Sequence, residues 1–314
     1  MSSKKGRYLI VFITFPVILL LIGLVLVSVA LLDLPDVQKM KKCMTTSMNQ
    51  VNLCPTDENY VPLKKISQYA IDAVIVSEDA SFFDHKGFDW FEIRQSVMTN
   101  LKRGRLARGA STLTQQLAKN VFLDGHKTLT RKIREAFLTK EIESLFSKEE
   151  ILERYFNMVE FGPNIYGINQ ASQYYFNKKP SDLNILEAAY MAFLLPNPKA
   201  HHTYFKQGFL TNYARQRILE ICLRLYRFKK ISRNDLDIAN FKALEFPWKE
   251  LSWTRNELMD LADEVLIEET GFEESTLPVI QEDLPDTDPD LPSTIPELDS
   301  SNLDDSNVDT EEAN

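Results

Sequence analysis

The sequence contains little cysteine and little histidine, which limits its metal chemistry. Its 314 residues include three cysteines and four histidines, and none of their spacings resembles the paired ligands of a zinc site. Cys43 and Cys54 are close together in the chain, so a disulfide and two free thiols are both open alternatives. Cys222 lies in an apolar helical pattern and is predicted to belong to the core.

Lysine and arginine are absent from residues 256–314, which contain 20 acidic residues. The formal net charge of −9 therefore comes from this tail, because residues 1–255 contain 25 acidic and 36 basic residues. The basic part of the chain, residues 1–255, favours anionic substrates and anionic membrane surfaces. Residues 271–314 are rich in Pro, Ser and Asp and nearly without aromatics, a composition that predicts a disordered acidic tail.

Charged residues are also absent from Tyr8–Leu32, an apolar run of 25 residues. A helix needs roughly 20 residues to cross a bilayer, so the run predicts a transmembrane helix. Lys4, Lys5 and Arg7 precede it and acidic residues follow it, which places residues 1–7 in the cytoplasm and the later chain outside. A cleaved signal peptide is the alternative, although no A-x-A-like site follows. Nucleic acid is not expected as a partner on the outer side.

The rest of the chain shows mainly helical periodicity, which predicts an all-α fold after a polar juxtamembrane stalk at residues 33–64. No segment predicts a multi-strand sheet. The first predicted helix ends near Ser77, and the second spans Phe88–Leu101. Three further helices have capping residues at their starts: one runs from Ser111 or Thr112 to Phe122, one from Thr128 or Thr130 to Phe146, and one follows Ser147. The remaining helices are predicted over 181–198 and 212–228 and, more weakly, over 257–266.

Two acidic residues are notable because polar and basic side chains surround them in the sequence. Glu78 precedes Asp79, and Glu135 follows Arg131 and Lys132. Between the two acids lies the polar segment GASTLTQQLAKN. Together these groups predict a site for an oxygen-rich anionic substrate, and hence an enzyme. For each acid alone, a solvated helix end or a surface ion pair is the alternative.

Four blocks of sequence carry a resemblance to a known family. They are EDASFFDHKG (Glu78–Gly87), GASTLTQQLAKN (Gly109–Asn120), RKIREAFLTKEIE (Arg131–Glu143) and KEEILERYFNMVEFG (Lys148–Gly162). In order and spacing they resemble the motifs of the family 51 glycosyltransferases, the peptidoglycan glycosyltransferases that polymerise lipid II. The resemblance covers about residues 66–198. Because the ordered set of S-x-x-K, S-x-N and K-T-G blocks that marks the penicillin-binding partner domain is absent, a monofunctional, membrane-anchored enzyme is expected.

The resemblance implies a lysozyme-like helical fold with two lobes and a cleft between them. The catalytic domain is expected at residues 65–230, followed by a helical extension at 231–270. The implied substrates are lipid II and a glycan linked to polyprenyl diphosphate, which the cleft would extend repeatedly without release. The implied location is the cytoplasmic membrane, crossed once, with the catalytic domain on its extracytoplasmic face beside other cell-wall synthases.

The resemblance also implies roles for individual residues. Glu78 would take the proton of the acceptor's 4-hydroxyl while attack inverts the donor's anomeric centre. Glu135 would orient contacts to the diphosphate or help bind a divalent cation, Mg²⁺ or Mn²⁺; no other cofactor is expected. Lys127 stands where many relatives have Arg, so a single ammonium group replaces a guanidinium that can donate two parallel hydrogen bonds to a phosphate. The implied substrate-binding residues are Asp79, Phe82, His85, Gly87, Ser111, Thr112, Gln115, Gln116, Lys119, Asn120, Lys127, Arg131 and Lys132.

Three questions stay open at this level. The aromatic segment at residues 88–101 either contacts the membrane interface beside basic residues or belongs to the core. A helical cleft with an acid also suits a glycan-cleaving lysozyme or lytic transglycosylase. An inactive, membrane-anchored scaffold with an acidic tail is the third class, although both acids and Lys119 are present.

Overall fold

The structure is a computed structural model. It describes residues 2–32, 34–105, 109–126, 128–246 and 248. The described part of the chain is mainly helical, which confirms the predicted helical class. Lys127, the predicted helix over 257–266 and the predicted acidic tail lie outside the described residues.

The elements follow one another in a chain of helices with two small hairpins. The helices are α1 (Ser2–Leu31), α2 (Gln68–Glu78), α3 (Trp90–Arg103), α4 (Leu113–Phe122), α5 (Leu129–Leu145), α6 (Lys148–Met158), α7 (Ile168–Phe176), α8 (Ile185–Leu194), α9 (Pro198–Gln207), α10 (Asn212–Arg227) and α11 (Arg233–Lys242). The strands are β1 (Met44–Thr45), β2 (Asn52–Leu53), β3 (Glu160–Gly162) and β4 (Ile165–Tyr166), and they pair antiparallel as β1 with β2 and β3 with β4.

The centre of the core is α8, which packs against α2 and α10. Its sequence, ILEAAYMAFL, is apolar on nearly every side, as expected of a helix surrounded by other helices. Tyr190 and Met191 of α8 are fully buried, as is Val74 of α2. This packing holds the end of α2, where Glu78 lies, against a rigid interior.

Side-chain caps explain why the central helices begin where they do. Thr112 accepts a hydrogen bond from the Gln115 backbone N–H, Thr128 from Arg131 and Ser147 from Glu150. Each cap satisfies a backbone donor that has no partner inside its helix. The predicted starts of α4, α5 and α6 are therefore confirmed.

The helix predicted over 181–198 is wrong in its bounds. Asn184 caps α8 with a reciprocal bond to Glu187, so α8 begins only at Ile185. Pro198 does not close this helix but occupies the first turn of α9, where its missing N–H has no cost.

The segment predicted as a polar stalk contributes to the core. Val37, Met40 and Leu53 are almost fully buried. Cys43 and Cys54 form a disulfide across the β1–β2 hairpin, which decides between the two alternatives for these cysteines. Cys222 is free and buried, as predicted.

Two arginines attach the end of α1 and the residues that follow it to the helical core through backbone carbonyls. Arg134 of α5 donates from Nε to the Ala30 oxygen (3.0 Å) and from a terminal nitrogen to the Leu32 oxygen (2.7 Å). Arg154 of α6 donates from Nε to the Met40 oxygen (3.2 Å). The carbonyls at the end of α1 thus gain partners that the helix itself cannot supply.

The described side chains of α1 are largely exposed and apolar, among them Phe15, Leu20, Leu24 and Val25. Within the described residues, no helix is long and apolar enough to cross a membrane. The transmembrane helix at residues 8–32 therefore stays a prediction.

Candidate active site

Glu78 is the last residue of α2, and its carboxylate is partly buried. Gln116 Nε2 donates a hydrogen bond to Glu78 Oε2 at 2.8 Å. Burial raises the pKa of the Glu78 carboxyl, whereas this hydrogen bond and the charge of Lys119 act to lower it. A carboxylate in such a setting can accept a proton from a neighbouring hydroxyl.

Asp79 connects the loop after Glu78 to the start of α4. Its Oδ2 accepts a hydrogen bond from the Leu113 backbone N–H (2.9 Å), and its Oδ1 lies 2.8 Å from His85 Nε2. The Gly87 N–H donates to His85 Nδ1 (3.1 Å), so the ring proton belongs on Nε2 and points at Asp79. Asp79 thereby fixes Glu78 relative to α4.

Gly87 lets the same loop pass close to α5. Its φ is +89°, and an added Cβ would lie 2.8 Å from Thr139 Cγ2. Its carbonyl accepts a hydrogen bond from the Thr112 hydroxyl at 2.7 Å. The loop is therefore attached to the cap of α4 at both Asp79 and Gly87.

Glu135 is only 2% exposed and lies on α5. Lys132 Nζ donates to Glu135 Oε1 and also reaches the Ser111 hydroxyl at 3.4 Å. Gln115 Nε2 donates to the same Oε1 at 3.3 Å. Ser111, Lys132 and Glu135 thus meet at one place, and their role in binding a substrate stays a prediction.

Consecutive residues of α4 therefore contact the two acids. Gln115 donates to Glu135, and Gln116 donates to Glu78. One short helix thus supplies a hydrogen-bond donor to each of the two acids, which lie on α2 and α5.

Lys119, one turn after Gln115 on α4, responds to both acids. Burial lowers the pKa of the Lys119 ammonium, as do the charges of Arg131 and Lys132, while Glu135 and Glu78 act to raise it. The Lys119 ammonium is thus close enough to both carboxylates for each to influence its charge. Three cations thus share this region with two acids, and Arg131 Nε is buried without a hydrogen-bond partner.

Glu135 is the residue predicted to help bind a divalent cation. Its Oε1 accepts hydrogen bonds from Lys132 and Gln115. Within the described residues, no group of three His, Cys, Asp or Glu is arranged as metal ligands. Mg²⁺ can be held by one or two carboxylates together with substrate phosphates, so the divalent cation at Glu135 stays a prediction.

Two of the remaining residues predicted at the site have positions that indicate support of the fold. Phe82 is fully buried, with the Lys148 ammonium 4.3 Å from its ring centroid. The Asn120 carbonyl accepts a bond from the Met48 N–H at 3.3 Å, which joins α4 to the β1–β2 hairpin.

Two residues that sequence analysis did not single out also belong to the surroundings of Glu78. The fully buried Tyr155 donates from its hydroxyl to Gln116 Oε1 at 3.0 Å, which directs the Gln116 amide nitrogen toward Glu78. Arg224 of α10 contributes a positive charge that lowers the Glu78 pKa. Both occupy ordinary positions in amphipathic helices, so no local pattern distinguishes them.

The helix α3 exposes apolar side chains next to this site's loop. Trp90 and Leu101 are each 73% exposed, and Phe91, Val97 and Met98 are exposed as well. These five side chains are therefore not core residues, whereas Phe88 and Ile93 are partly buried.

Comparison with known proteins gives a consistent family. A family model described as Transglycosylase matches residues 45–224. Three relatives are each named biosynthetic peptidoglycan transglycosylase. That of Pasteurella multocida is 49% identical over 139 residues (44% of this chain, 56% of the relative), that of Chromobacterium violaceum 45% over 140 residues (45% and 61%), and that of Acinetobacter baylyi 40% over 168 residues (51% and 75%).

The matched part has limits. For most of the similar curated relatives, it spans about three fifths of the relative's own length. Among solved structures, penicillin-binding protein 1A from Haemophilus influenzae matches 51% of this chain and 20% of its own, with 19% identity and a TM-score of 0.28. That score is too low for a comparison of folds. The family model nevertheless covers more than half of the sequence, and the chain belongs to the transglycosylase family.

Proposed function

We propose that this protein is an inverting peptidoglycan glycosyltransferase that polymerises lipid II into β-1,4-linked glycan. The observation that supports this most directly is the pair of adjacent glutamines on α4. Gln116 donates a hydrogen bond to the part-buried carboxylate of Glu78, and Gln115 donates one to the carboxylate of Glu135, which is paired with Lys132. A site of this kind has a proton acceptor at one end and positive charge at the other. It suits a sugar whose leaving group is anionic.

In the proposed reaction, the 4-hydroxyl oxygen of the acceptor attacks the anomeric carbon of the donor. The new carbon–oxygen bond forms as the bond from the anomeric carbon to the diphosphate breaks. The hydroxyl proton passes to Glu78, and the bonding electrons leave with the polyprenyl diphosphate. Lys119, Arg131 and Lys132 would stabilise the charge that develops on the diphosphate.

Glu135 has a positioning role in this proposal. Its carboxylate accepts a hydrogen bond from the ammonium of Lys132, so it directs that cation toward Ser111 and the end of the site that would hold the diphosphate. The neutral groups of Ser111, Thr112 and the two glutamines suit hydroxyl and acetamide groups of a sugar.

The membrane is the proposed source of the substrate. The apolar exposed side chains of α1, and those of α3 beside the basic residues Lys102 and Arg105, would lie in or on the bilayer from which lipid-linked sugars enter. We propose a single-pass anchor in the cytoplasmic membrane, a catalytic domain on the outer face with two lysozyme-like lobes, and other cell-wall synthases as neighbours.

The test is incubation of the purified protein with labelled lipid II, with product length determined on a gel and the family inhibitor moenomycin as a control. The wild type should give a ladder of long strands. Glu78→Gln should abolish the ladder, because the rate of polymerisation should fall by at least about 10³-fold. Its circular dichroism and unfolding midpoint should remain those of a folded protein. Wild-type yield from that variant would refute the base assignment.

The same assay separates the other two classes. A glycan-cleaving enzyme would shorten isolated sacculi and would leave lipid II unpolymerised. An inactive scaffold would do neither.

A further inference from the structure

A groove separate from the catalytic residues lies between the β1–β2 hairpin and α7. Its volume is about 820 Å³, and fourteen residues line it. Eight of the fourteen are Asn or Gln, three are Tyr, and Asp57 is the single charged member. In a catalytic region rich in Lys and Arg, this groove is nearly neutral.

Several of the amides are held by one end only. Gln170 Oε1 accepts from the Tyr166 N–H (2.9 Å), and Asn52 Nδ2 donates to Asp57 Oδ2 (3.1 Å). Gln50 Nε2 donates to the Ser47 carbonyl at 3.1 Å. Within the described residues, the other polar atom of each amide has no hydrogen bond. These atoms are thus oriented in advance and available, which lowers the entropic cost of binding a ligand.

An aromatic face completes the groove. Tyr174 is 46% exposed, and its ring is positioned by Tyr175 and Phe205, with centroid distances of 5.0 and 5.6 Å. A fixed aromatic side chain offers an apolar face and a polar hydroxyl together. The apolar side of a pyranose ring and its hydroxyls match these two properties.

The hairpin wall of the groove is rigid and is joined to the catalytic helix. The Cys43–Cys54 disulfide closes the hairpin. The Ser47 N–H donates to the Val121 carbonyl at 2.8 Å, and Val121 lies on α4. The groove therefore has a fixed position relative to α4, the helix that donates a hydrogen bond to each acid.

We propose that this groove binds a neutral, N-acetylated glycan strand. The near absence of charge disfavours diphosphates, nucleic acids and acidic peptides, which would need several Lys or Arg residues. Amides provide both donors and acceptors, which acetamide and hydroxyl groups require. The proposal rests on the proposed function for its biological source, which is either the growing product or glycan already in the wall.

Binding is tested with chitohexaose, a neutral N-acetylglucosamine oligomer, by titration followed by NMR or calorimetry on the full chain. The groove variant is Gln170→Ala with Tyr174→Ala, both exposed positions. The matched control is Gln207→Ala with Phe209→Ala, an exposed amide and aromatic outside the groove. Circular dichroism establishes that each variant is folded.

Wild type, the control and Glu78→Gln should bind with Kd of about 1 mM or tighter, and the groove variant at least about tenfold more weakly. Absence of binding by the wild type, or equal binding by the groove variant, would overturn the proposal. Loss of binding in Glu78→Gln would also overturn it, because the oligomer would then occupy the catalytic site.

Two further measurements identify the source of the glycan. If the groove holds the growing product, the groove variant should release shorter strands per lipid II consumed. If it holds existing wall, product length should match wild type while retention on isolated sacculi falls. A result with neither change would refute a role for the groove. Failure of the proposed function is distinct, since chitohexaose binding would persist in a wild type that makes no polymer.

Discussion

At the scale of single residues, Glu78 is subject to opposing influences on its charge. Burial favours the neutral acid, whereas the Gln116 amide and the Lys119 ammonium favour the carboxylate. A base must be ionised before it accepts a proton, so the balance of these influences, in which burial is the largest and raises the pKa, sets the lower pH limit of the proposed reaction. Tyr155 takes part indirectly, because it orients the Gln116 amide.

Gln116→Leu should shift the pH dependence of polymerisation. The Gln116 hydrogen bond stabilises the ionised form of Glu78, so its loss should raise the pKa of that carboxyl further. The acidic limb of the kcat/KM profile should then move to higher pH, and activity below neutral pH should fall more than activity above it.

Tyr155→Phe, which keeps the ring, should produce a smaller shift in the same direction. Gln207→Leu on the exposed end of α9 provides the control. A profile of Gln116→Leu that moves to lower pH would contradict the assigned role.

Much of the candidate site could be predicted from sequence. Glu78, Glu135, Gln115 and Gln116 lie in local blocks that carry the family resemblance, and the structure brings them together. Tyr155 could not be predicted, because its contribution depends on a contact with Gln116, which lies on another helix and 39 residues earlier in the chain.

At the scale of elements, the loop from Glu78 to α3 depends on a glycine with a close neighbour. Gly87 has positive φ and a Cβ position that overlaps Thr139, whereas Gly104 has positive φ with open space around it. A comparison of substitutions at the two glycines therefore distinguishes the cost of backbone strain from the cost of steric overlap.

Gly87→Ala should destabilise the fold by about 2 to 6 kcal/mol, since strain and overpacking each contribute about 1 to 3 kcal/mol. Gly104→Ala should cost only about 1 kcal/mol, because it introduces strain alone. Urea unfolding of both variants measures the difference. Equal losses would show that the loop moves away from α5 without cost.

Arg134→Gln should loosen the junction between α1 and the helical core. The guanidinium supplies partners to the carbonyls of Ala30 and Leu32, and glutamine reaches at most one of them. Hydrogen–deuterium exchange should increase by about tenfold in residues 30–41 and stay unchanged in α8.

Arg134→Lys should give an intermediate increase, because it retains the charge but loses the fork of donors. Unchanged exchange in Arg134→Gln would mean that apolar packing alone holds the junction.

Helix starts were predictable because capping side chains are local signals, as at Thr112, Thr128 and Ser147. The β1–β2 hairpin was not, since strands of two residues are too short to show alternation. The burial of Val37 and Met40 was also missed, because it depends on contacts with distant helices.

At the scale of the whole molecule, the chain separates its charge into a basic region and the acidic residues 256–314. Within the described residues, the groups that hydrogen-bond to the two acids or influence the charge of Glu78 lie between residues 78 and 224. The chemistry should therefore not need the far end of the chain.

Deletion of residues 272–314 should leave the rate of lipid II polymerisation within about twofold of wild type, less than about 0.5 kcal/mol in barrier. Gel assays at matched protein concentration measure this rate. An inactive but folded truncation would show that the acidic segment contributes to catalysis.

The adjacent glutamines of α4 link the two acids through a single helix. Successive helical side chains differ by about 100° in direction and 1.5 Å in height, and Gln115 donates to Glu135 on α5 while Gln116 donates to Glu78 on α2. One residue inserted between Gln115 and Gln116 would rotate one amide away from its acid. In the proposed reaction, the register of α4 at this peptide bond therefore influences how the proton acceptor and the cations beside Glu135 lie relative to each other.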